Sequence, residues 1–255
     1  MINSVKIFIR SRLLPIAKRI VYGKSGSGGL TKEDLLDNFF KIIIEIGFSP
    51  KHIVDVGANH GTWTRNALNY FPNAHYTLLE PQGNLKKSIN DVLISNSKVK
   101  FYAMGAGSSS GTLKFSMVGR DDSCTFAMSE SEAQEKGYTQ IDVPVVTLNG
   151  FLPTLNLPNP EVIKIDAEGF DLEVLKGASN YLPTAEVILV EAGIVNKSLD
   201  NDIFAVQKFM DANGFRLFEI TELNRPMSKP VLWLAELAFV RKGGIIDSAS
   251  FNSLS

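Results

Sequence analysis

Asp166 and Glu168 are the residues of this sequence that are best placed to take part in a reaction. They follow residues 162–165, a mostly apolar stretch that predicts a buried strand, and they precede a stretch with helical spacing. Carboxylates at the end of a strand can accept a proton or bind a cation. Asp171 and Glu173 lie where acids stabilise the start of a helix, so Asp166 and Glu168 are the functional candidates.

A glycine-containing loop follows the first predicted strand and leads into a helix. Its residues that could touch a ligand are Asp55, Gly57, Ala58, Asn59, Gly61 and Thr62. The two glycines suit a tight turn and a close approach of a ligand to the helix. Asn59 stands where the dinucleotide-binding motif has its middle glycine, which disfavours a pyrophosphate. The acid at position 55 would repel a diphosphate and suits a cofactor that carries ammonium and sulfonium groups.

Glu80 ends the next predicted strand, about twenty residues after Gly61. An acidic residue at this position can accept hydrogen bonds from both hydroxyl groups of a ribose. Pro81 follows it. Ala106 and Gly107 come after the third predicted strand, where small residues would let an adenine ring approach. Together these residues predict a nucleoside pocket.

The rest of the chain supplies the elements that hold these residues. From residue 52 onward, short apolar stretches alternate with helical ones, which is typical of a doubly wound α/β fold with helices on both faces of a parallel sheet. The last two apolar stretches have no helix between them and predict an antiparallel pair. Residues 113–146 break the rhythm, and we expect them to overhang the strand ends, where Ser123 could reach an acceptor.

Three regions are expected along the chain. Residues 1–29 form a basic segment with a Gly/Ser linker, residues 30–243 form the main domain, and residues 244–255 form a disordered tail. The basic segment has apolar residues at helical spacing and cations on its other faces, with Pro15 interrupting it. Such a helix could contact an anionic membrane surface, the domain itself or a second copy of the chain.

The composition excludes several classes of protein. The chain has 255 residues and a net charge of −1, so it lacks the positive field that holds a nucleic acid. Its single cysteine cannot form an internal disulfide, which favours a reducing compartment. It has no apolar stretch of about 18 residues that would predict a membrane helix. We expect a cytoplasmic protein, with peripheral contact to the inner membrane surface through residues 1–29 as an open alternative.

Several of these segments together resemble a known family of enzymes. The matching segments are residues 55–61, Glu80-Pro81, Val146-Thr147-Leu148, Lys164-Ile165-Asp166-Ala167-Glu168-Gly169 and Val174-Leu175-Lys176-Gly177-Ala178. They resemble the FkbM family of S-adenosylmethionine-dependent methyltransferases, and the resemblance covers roughly residues 50–220. The family usually has aspartate where this chain has Asn149, so we expect no charge-dependent role at that position.

The resemblance implies a fold and a reaction. The fold is a Rossmann-like class I methyltransferase fold, with a seven-stranded, mostly parallel sheet and a reversed final strand. The cofactor is S-adenosyl-L-methionine, bound at the first two strand ends, with an acceptor site over Asp166. The implied reaction is methylation of a hydroxyl group, often on a sugar of a glycan or natural product.

Methyl transfer to a hydroxyl group requires an aligned acceptor oxygen that loses its proton. We expect Asp166 to act as the base or to orient the acceptor, with Glu168 as the second candidate and His60 as the third. Glu191 ends the fifth predicted strand at the same sheet edge and could contact the acceptor. Asp166, Glu168 and Glu191 could converge on a divalent ion. Such carboxylates also bind cofactors and acceptors without an ion, and we predict no metal.

The sequence therefore predicts an S-adenosylmethionine-dependent O-methyltransferase that acts on a sugar hydroxyl of a small-molecule or glycan acceptor. A polyketide or lipid-linked hydroxyl is the alternative acceptor. Two functions of other classes stay open: a NAD-binding oxidoreductase, against which Asn59 and Asp55 argue, and a non-catalytic domain that binds a nucleoside.

Overall fold

The computed structural model describes residues 32–195, 201–225 and 231–252 of the chain. The basic segment and linker predicted for residues 1–29 lie outside the described residues. The membrane contact and the self-association considered for that segment therefore stay predictions. Within the described ranges, no helix combines the length and the apolar character needed to cross a bilayer.

A seven-stranded sheet has the order β3-β2-β1-β7-β8-β10-β9. Its strands are β1 (His52–Val56), β2 (His75–Leu79), β3 (Val99–Tyr102), β7 (Val162–Ile165), β8 (Val187–Gly193), β9 (Phe215–Asn224) and β10 (Leu234–Arg241). The first five in this order run parallel, and β10 runs antiparallel between β8 and β9. The predicted doubly wound sheet with a reversed final strand is confirmed.

Apolar side chains on both faces explain why these segments form strands. Every residue of β1 and β7 is buried, and β-branched residues suit such a covered, pleated surface. Side chains alternate between the faces, so Ile53 and Leu189 belong to one apolar core and Val54 and Ile163 to the other. The sheet therefore separates two cores.

Helices cover both faces of the sheet. They are α1 (Lys32–Glu45), α2 (Thr62–Tyr70), α3 (Asn90–Ser95), α4 (Glu130–Glu135), α5 (Leu148–Phe151), α6 (Asp171–Gly177), α7 (Ile203–Ala212) and α8 (Ile245–Asn252). α1 buries Phe39, Phe40 and Ile43 on the face that carries Ile53. α5, α6 and α7 complete the core on the opposite face.

The predicted insertion contains a second, smaller sheet. Its strands β4 (Gly105–Ala106), β5 (Gly111–Met117) and β6 (Thr139–Val146) have the order β4-β6-β5. The helical rhythm lapses in residues 113–146 because β5 and β6 pair antiparallel. Phe115, Cys124 and Val143 form a small separate core beneath this pair. Three short 3-10 helices lie at Gly83–Ile89, Asp121–Ser123 and Leu152–Leu155.

The prediction of a disordered tail after Gly243 is wrong for the residues that form α8. Ile246 is completely buried, at 0% exposure, and Glu186 accepts the hydrogen bond of its backbone N–H at 2.9 Å. Asp247 accepts a hydrogen bond from the backbone N–H of Gly243. The anchor of this helix is a contact with a residue 60 positions earlier in the chain, which the local composition does not reveal.

Gly177 ends α6 and packs directly on the loop after β4. A Cβ at this position would lie 1.9 Å from the carbonyl oxygen of Gly107. We expect Gly177→Ala to lower the free energy of unfolding by at least about 1–3 kcal/mol, the usual cost of overpacking, when measured by urea denaturation. Gly111→Ala is the control, because a Cβ at Gly111 meets no atom within 4 Å. Equal effects of the two substitutions would contradict this account.

Candidate active site

The loop between β1 and α2 touches the loop that follows β7. Gly57 has a φ of +73°, which favours glycine, and a Cβ there would lie 1.8 Å from the carbonyl oxygen of Asp166. Gly61 has a φ of +74°, and a Cβ there would meet the side chain of Ile89 at 2.2 Å. Gly57 therefore lets two of the predicted site loops pass in contact, whereas Gly61 packs against the protein core.

Glu80 ends β2 and holds the β1–α2 loop. Its side chain is 3% exposed and accepts hydrogen bonds from the backbone N–H groups of Asn59 and Gln82, both at 2.9 Å. The Gln82 side-chain amide donates a longer bond of 3.4 Å. Burial raises the pKa of the Glu80 carboxyl, although these hydrogen bonds act in the opposite direction. A carboxylate has about four acceptor positions, so Glu80 can still accept a ligand hydroxyl.

The first cleft opens between the ends of β1, β2 and β7 and has an open volume of about 600 Å³. The predicted residues that line it are Gly57, Asn59, Glu80, Pro81, Ala106, Asp166 and Glu168. The insertion adds residues that sequence reasoning did not select: Phe115, Asp121, Asp122, Cys124 and Phe126.

Asp121 fastens the insertion over the first cleft. Its backbone carbonyl accepts hydrogen bonds from the side-chain amides of Asn59, at 3.1 Å, and Gln82, at 2.8 Å. Its carboxylate lies 2.8 Å from Nε2 of His60, and Nδ1 of His60 lies 2.9 Å from the hydroxyl of Ser88. His60 therefore links three loops through both ring nitrogens, and the role of a base stays a prediction for it.

Two other predicted residues do not line the first cleft. Gly107 lies against Phe170, whose ring a Cβ would approach to 2.9 Å. Ser123 is half-buried and donates a 3.3 Å hydrogen bond to its neighbour Asp122. Packing thus explains the glycine, and the adjacent residues Asp122 and Cys124 face the cleft where Ser123 was expected.

The second cleft lies beside the β1–α2 loop and has an open volume of about 790 Å³. It is lined by Leu36, Ala58, His60, Thr62, Trp63, Asn66, Lys164, Thr221, Glu222 and Glu236. Gly57, Asn59 and Asp166 line both clefts. These three residues mark the place where a ligand in one cleft can meet a ligand in the other.

Asp55 lines neither cleft, contrary to the expectation that it would face a cationic ligand. It is completely buried, and its carboxylate accepts a 2.5 Å hydrogen bond from the Thr64 hydroxyl. Its other oxygen lies 3.3 Å from Nζ of Lys164. The negative charge of Asp55 thus has a partner inside the protein, because the neighbouring strand carries an ammonium group at the same level.

Lys164 is the residue that sequence reasoning missed. Its ammonium group is 4% exposed, donates a 3.0 Å hydrogen bond to the carbonyl of Gly57 and lies 3.3 Å from carboxylate oxygens of both Asp55 and Asp166. Burial alone lowers its pKa, but the charges of Asp166, Asp55 and Glu236 outweigh burial and raise it. A lysine inside an otherwise apolar strand was the available signal, because a buried ammonium group needs charged partners.

Asp166, Glu168 and Glu191 converge at the end of the sheet. One carboxylate oxygen of each lies within 4.8 Å of the others. Burial, followed by the charges of Asp166 and Asp171, raises the pKa of Glu168 to about 9. Burial and the charge of Asp166 also raise the pKa of Glu191 well above its ordinary value. Burial and mutual repulsion therefore disfavour the charged forms of Glu168 and Glu191.

Asp171 shapes the loop that carries Glu168. It is completely buried and accepts hydrogen bonds from the backbone N–H groups of Ala167 and Gly169 and from the side-chain amide of Asn201. Burial raises its pKa to about 7 although these hydrogen bonds lower it. The folded-back loop holds Glu168 at a φ of 49°, a left-handed conformation that is uncommon for residues with a side chain.

Comparison with known proteins identifies the family. The model of the methyltransferase FkbM domain matches residues 55–217. This range contains the strand ends that line the two clefts, apart from those of β9 and β10. The chain belongs to this family. The predicted family is confirmed, and the match favours a methyltransferase domain over the alternative of a NAD-binding oxidoreductase.

Related proteins are similar over part or most of the chain. Hexuronic acid methyltransferase AglP of Haloferax volcanii is 34% identical over 91 residues, which are 34% of this chain and 35% of that protein. The match thus spans about a third of the relative's length. Precorrin-6y C5,15-methyltransferase of Geobacter metallireducens aligns with a TM-score of 0.45 and 13% identity, over 80% of this chain and 88% of that one.

Another solved structure is the O-methyltransferase NcsB1 of neocarzinostatin biosynthesis, in complex with S-adenosyl-L-homocysteine and 1,4-dihydroxy-2-naphthoic acid. It aligns with a TM-score of 0.40 and 12% identity, over 75% of this chain and 49% of that one. A putative methyltransferase from Escherichia coli, YhhF, aligns with a TM-score of 0.45 and 12% identity, over 86% of this chain and 90% of that one.

Asn149, for which no charge-dependent role was expected, makes two hydrogen bonds through its neutral side chain. Its side-chain amide donates a 2.9 Å hydrogen bond to the hydroxyl of Ser179. Its side-chain carbonyl accepts a 3.0 Å hydrogen bond from the backbone N–H of Asn180. Asparagine supplies both a donor and an acceptor here, so it ties the start of α5 to the end of the α6 region without needing a charge.

Lys164→Met removes the ammonium group that serves two carboxylates. We expect the substitution to lower the free energy of unfolding by about 3–5 kcal/mol, because removal of one partner leaves a buried charge uncompensated. Urea denaturation at neutral pH measures the change. Lys114→Met breaks the exposed pair with Asp142 and serves as the control, with an expected change of at most about 1 kcal/mol. A similar loss in both variants would disprove the importance of the buried pair.

Proposed function

We propose that this FkbM methyltransferase transfers a methyl group from S-adenosyl-L-methionine to a hydroxyl group of a sugar. The observation that carries the proposal is the meeting of two clefts at Gly57, Asn59 and Asp166. A transfer between two ligands needs a single point where both come into contact. Asp166 supplies a carboxylate at that point, next to the closely packed β1–α2 loop.

The residues of the first cleft suit the nucleoside part of the cofactor. Glu80 can accept a ribose hydroxyl at the end of β2, and the buried Ala106 leaves room for a flat ring. Phe126 and Cys124 add an apolar surface of the kind that purine rings contact. Asp166 and Glu168 place acidic groups on the remaining side of this cleft, which favours a positively charged ligand.

Asp166 is the proposed base. When bound, S-adenosylmethionine supplies a methyl group whose bond to a positively charged sulfur breaks as the acceptor oxygen bonds to the carbon. Asp166 takes the proton that the acceptor hydroxyl releases, and 38% of its side chain is exposed, so an acceptor can reach it. Lys164 holds the Asp166 carboxylate from the protein side.

The acceptor class is supported by two observations. Polar side chains share the lining of the second cleft with Asp166, and Asn66 and Glu222 can bind hydroxyl groups there. The name of the relative AglP describes a hexuronic acid methyltransferase, although the match covers about a third of that protein. We expect methyl transfer from labelled cofactor to glycosides of hexuronic acids or neutral sugars. Transfer only to polyketide alcohols or lipid-linked hydroxyls would contradict the sugar assignment.

Glu80→Ala tests the cofactor position. We expect it to weaken binding of S-adenosylhomocysteine by about 1–3 kcal/mol, since a buried charged hydrogen-bond acceptor is lost. Isothermal calorimetry measures the affinity. Glu135→Ala, at an exposed position of α4, is the control and should leave the affinity unchanged. An unchanged affinity in Glu80→Ala would remove this residue from the cofactor site.

Asp166→Asn tests the proposed base. We expect kcat to fall by about 10²- to 10⁴-fold, the usual contribution of general base catalysis, while binding of S-adenosylhomocysteine changes little. Asp142→Asn, at an exposed position of β6, should retain the parental rate. Full activity of Asp166→Asn would show that another group takes the proton.

A further inference from the structure

A row of acidic residues crosses the three neighbouring strands β7, β8 and β10 at one end of the sheet. Glu191 of β8 and Glu236 of β10 lie directly opposite each other in the antiparallel pair. Ile165 is paired with Val190, so Asp166, the next residue after β7, lies level with Glu191. Like charges placed opposite each other in a sheet are destabilising. This row therefore needs compensation by protons or by cations.

Most members of the acidic group have a partner in the protein. Lys164 contacts Asp166, and the Thr221 hydroxyl donates a 2.5 Å hydrogen bond to Glu236. Backbone N–H groups serve Asp171. Each of these contacts offsets part of the cost of burying a carboxylate.

Glu191 differs from these residues in the surroundings of its carboxylate. Its Oε2 atom is shielded from solvent and has no hydrogen-bond partner within the part of the chain that the structure describes. One carboxylate oxygen of Glu191 lies within 4.8 Å of a carboxylate oxygen of Asp166 and of a carboxylate oxygen of Glu168. A carboxylate that has one buried oxygen without a donor and that lies beside two further carboxylates is an arrangement that a bound cation completes.

We propose that Asp166, Glu168 and Glu191 bind a divalent cation, Mg²⁺ or Mn²⁺. The three ligand oxygens lie at most 4.8 Å apart. In the octahedral shell of Mg²⁺, neighbouring oxygens lie about 3.0 Å apart and opposite oxygens about 4.2 Å apart, from Mg–O distances of about 2.1 Å, so the three side chains must move closer together to close the site. A set of oxygen ligands alone suits Mg²⁺, Mn²⁺ or Ca²⁺ and disfavours Zn²⁺ or Cu²⁺.

The cation would serve the reaction proposed above, and this part of the inference rests on the proposed function. Three protein oxygens leave about half of an octahedral shell for water or for neighbouring hydroxyl groups of a sugar. An acceptor hydroxyl bound to the ion loses its proton more readily. The ion also gives Glu191 and Glu168 a positive partner at the point where the two clefts meet.

Binding of Mn²⁺ alone tests the site without cofactor or acceptor. Chelator-treated full-length protein is titrated with Mn²⁺, and the free ion is followed by electron paramagnetic resonance. We expect one site per chain whose affinity falls at least tenfold in Glu191→Gln and in Glu168→Gln. Glu173→Gln, at a nearby carboxylate of α6 that is paired with Lys176, is the control and should bind like the parent.

Several outcomes would overturn the proposal. These are an absence of Mn²⁺ binding in the parent protein, or equal binding in Glu191→Gln, which would place the ion elsewhere. An increase in Tm on Mn²⁺ addition in the parent but not in Glu191→Gln supports the site, and a Tm that never responds argues against it. Binding of S-adenosylhomocysteine to the same samples separates the two ideas. If the parent protein failed to bind S-adenosylhomocysteine, the proposed function would be contradicted, whereas the Mn²⁺ result would still stand.

Discussion

The buried ammonium group of Lys164 is the contact on which the whole site depends. It joins Asp55 in β1 to Asp166 after β7 and also holds the carbonyl of Gly57. These two strands are neighbours in the sheet, and their following loops form walls of both clefts. One side chain therefore fixes the relative position of the cofactor loop and the proposed base, in a region where an unpaired charge would be costly.

The end of the sheet around Asp166 is organised for ligands at the expense of internal stability. The interior of the sheet is apolar on both faces, but carboxylate oxygens of Asp166, Glu168 and Glu191 lie within 4.8 Å of one another at the end of its strands, and Glu236 is paired with Glu191. Glu168 also adopts a left-handed backbone conformation. Such departures from local rules are common at functional sites, where the surrounding structure holds them in place.

The fold was predictable from the sequence because it follows from local patterns. The apolar strands identified the sheet, and the rule that ligands bind at strand ends predicted that Gly57, Glu80 and Asp166 lie close together; all three line the first cleft. Long-range partners were not predictable in this way. Asp55 turned inward because Lys164 lies beside it, and α8 formed because Glu186 accepts the backbone N–H of Ile246. Neither pairing leaves a periodic signal in the chain.

The hydrogen bonds from the side chains of Asn59 and Gln82 to the carbonyl of Asp121 bear on the rate at which a ligand enters and leaves the first cleft. They bridge the rim of the first cleft and connect a strand-end loop to a segment that belongs to the separate small sheet. With the nucleoside of the cofactor in the first cleft, as proposed above, its passage on this side would depend on the opening of both bonds. Sequence changes in the insertion would then alter the rate of ligand release without altering the residues that hold the ligand.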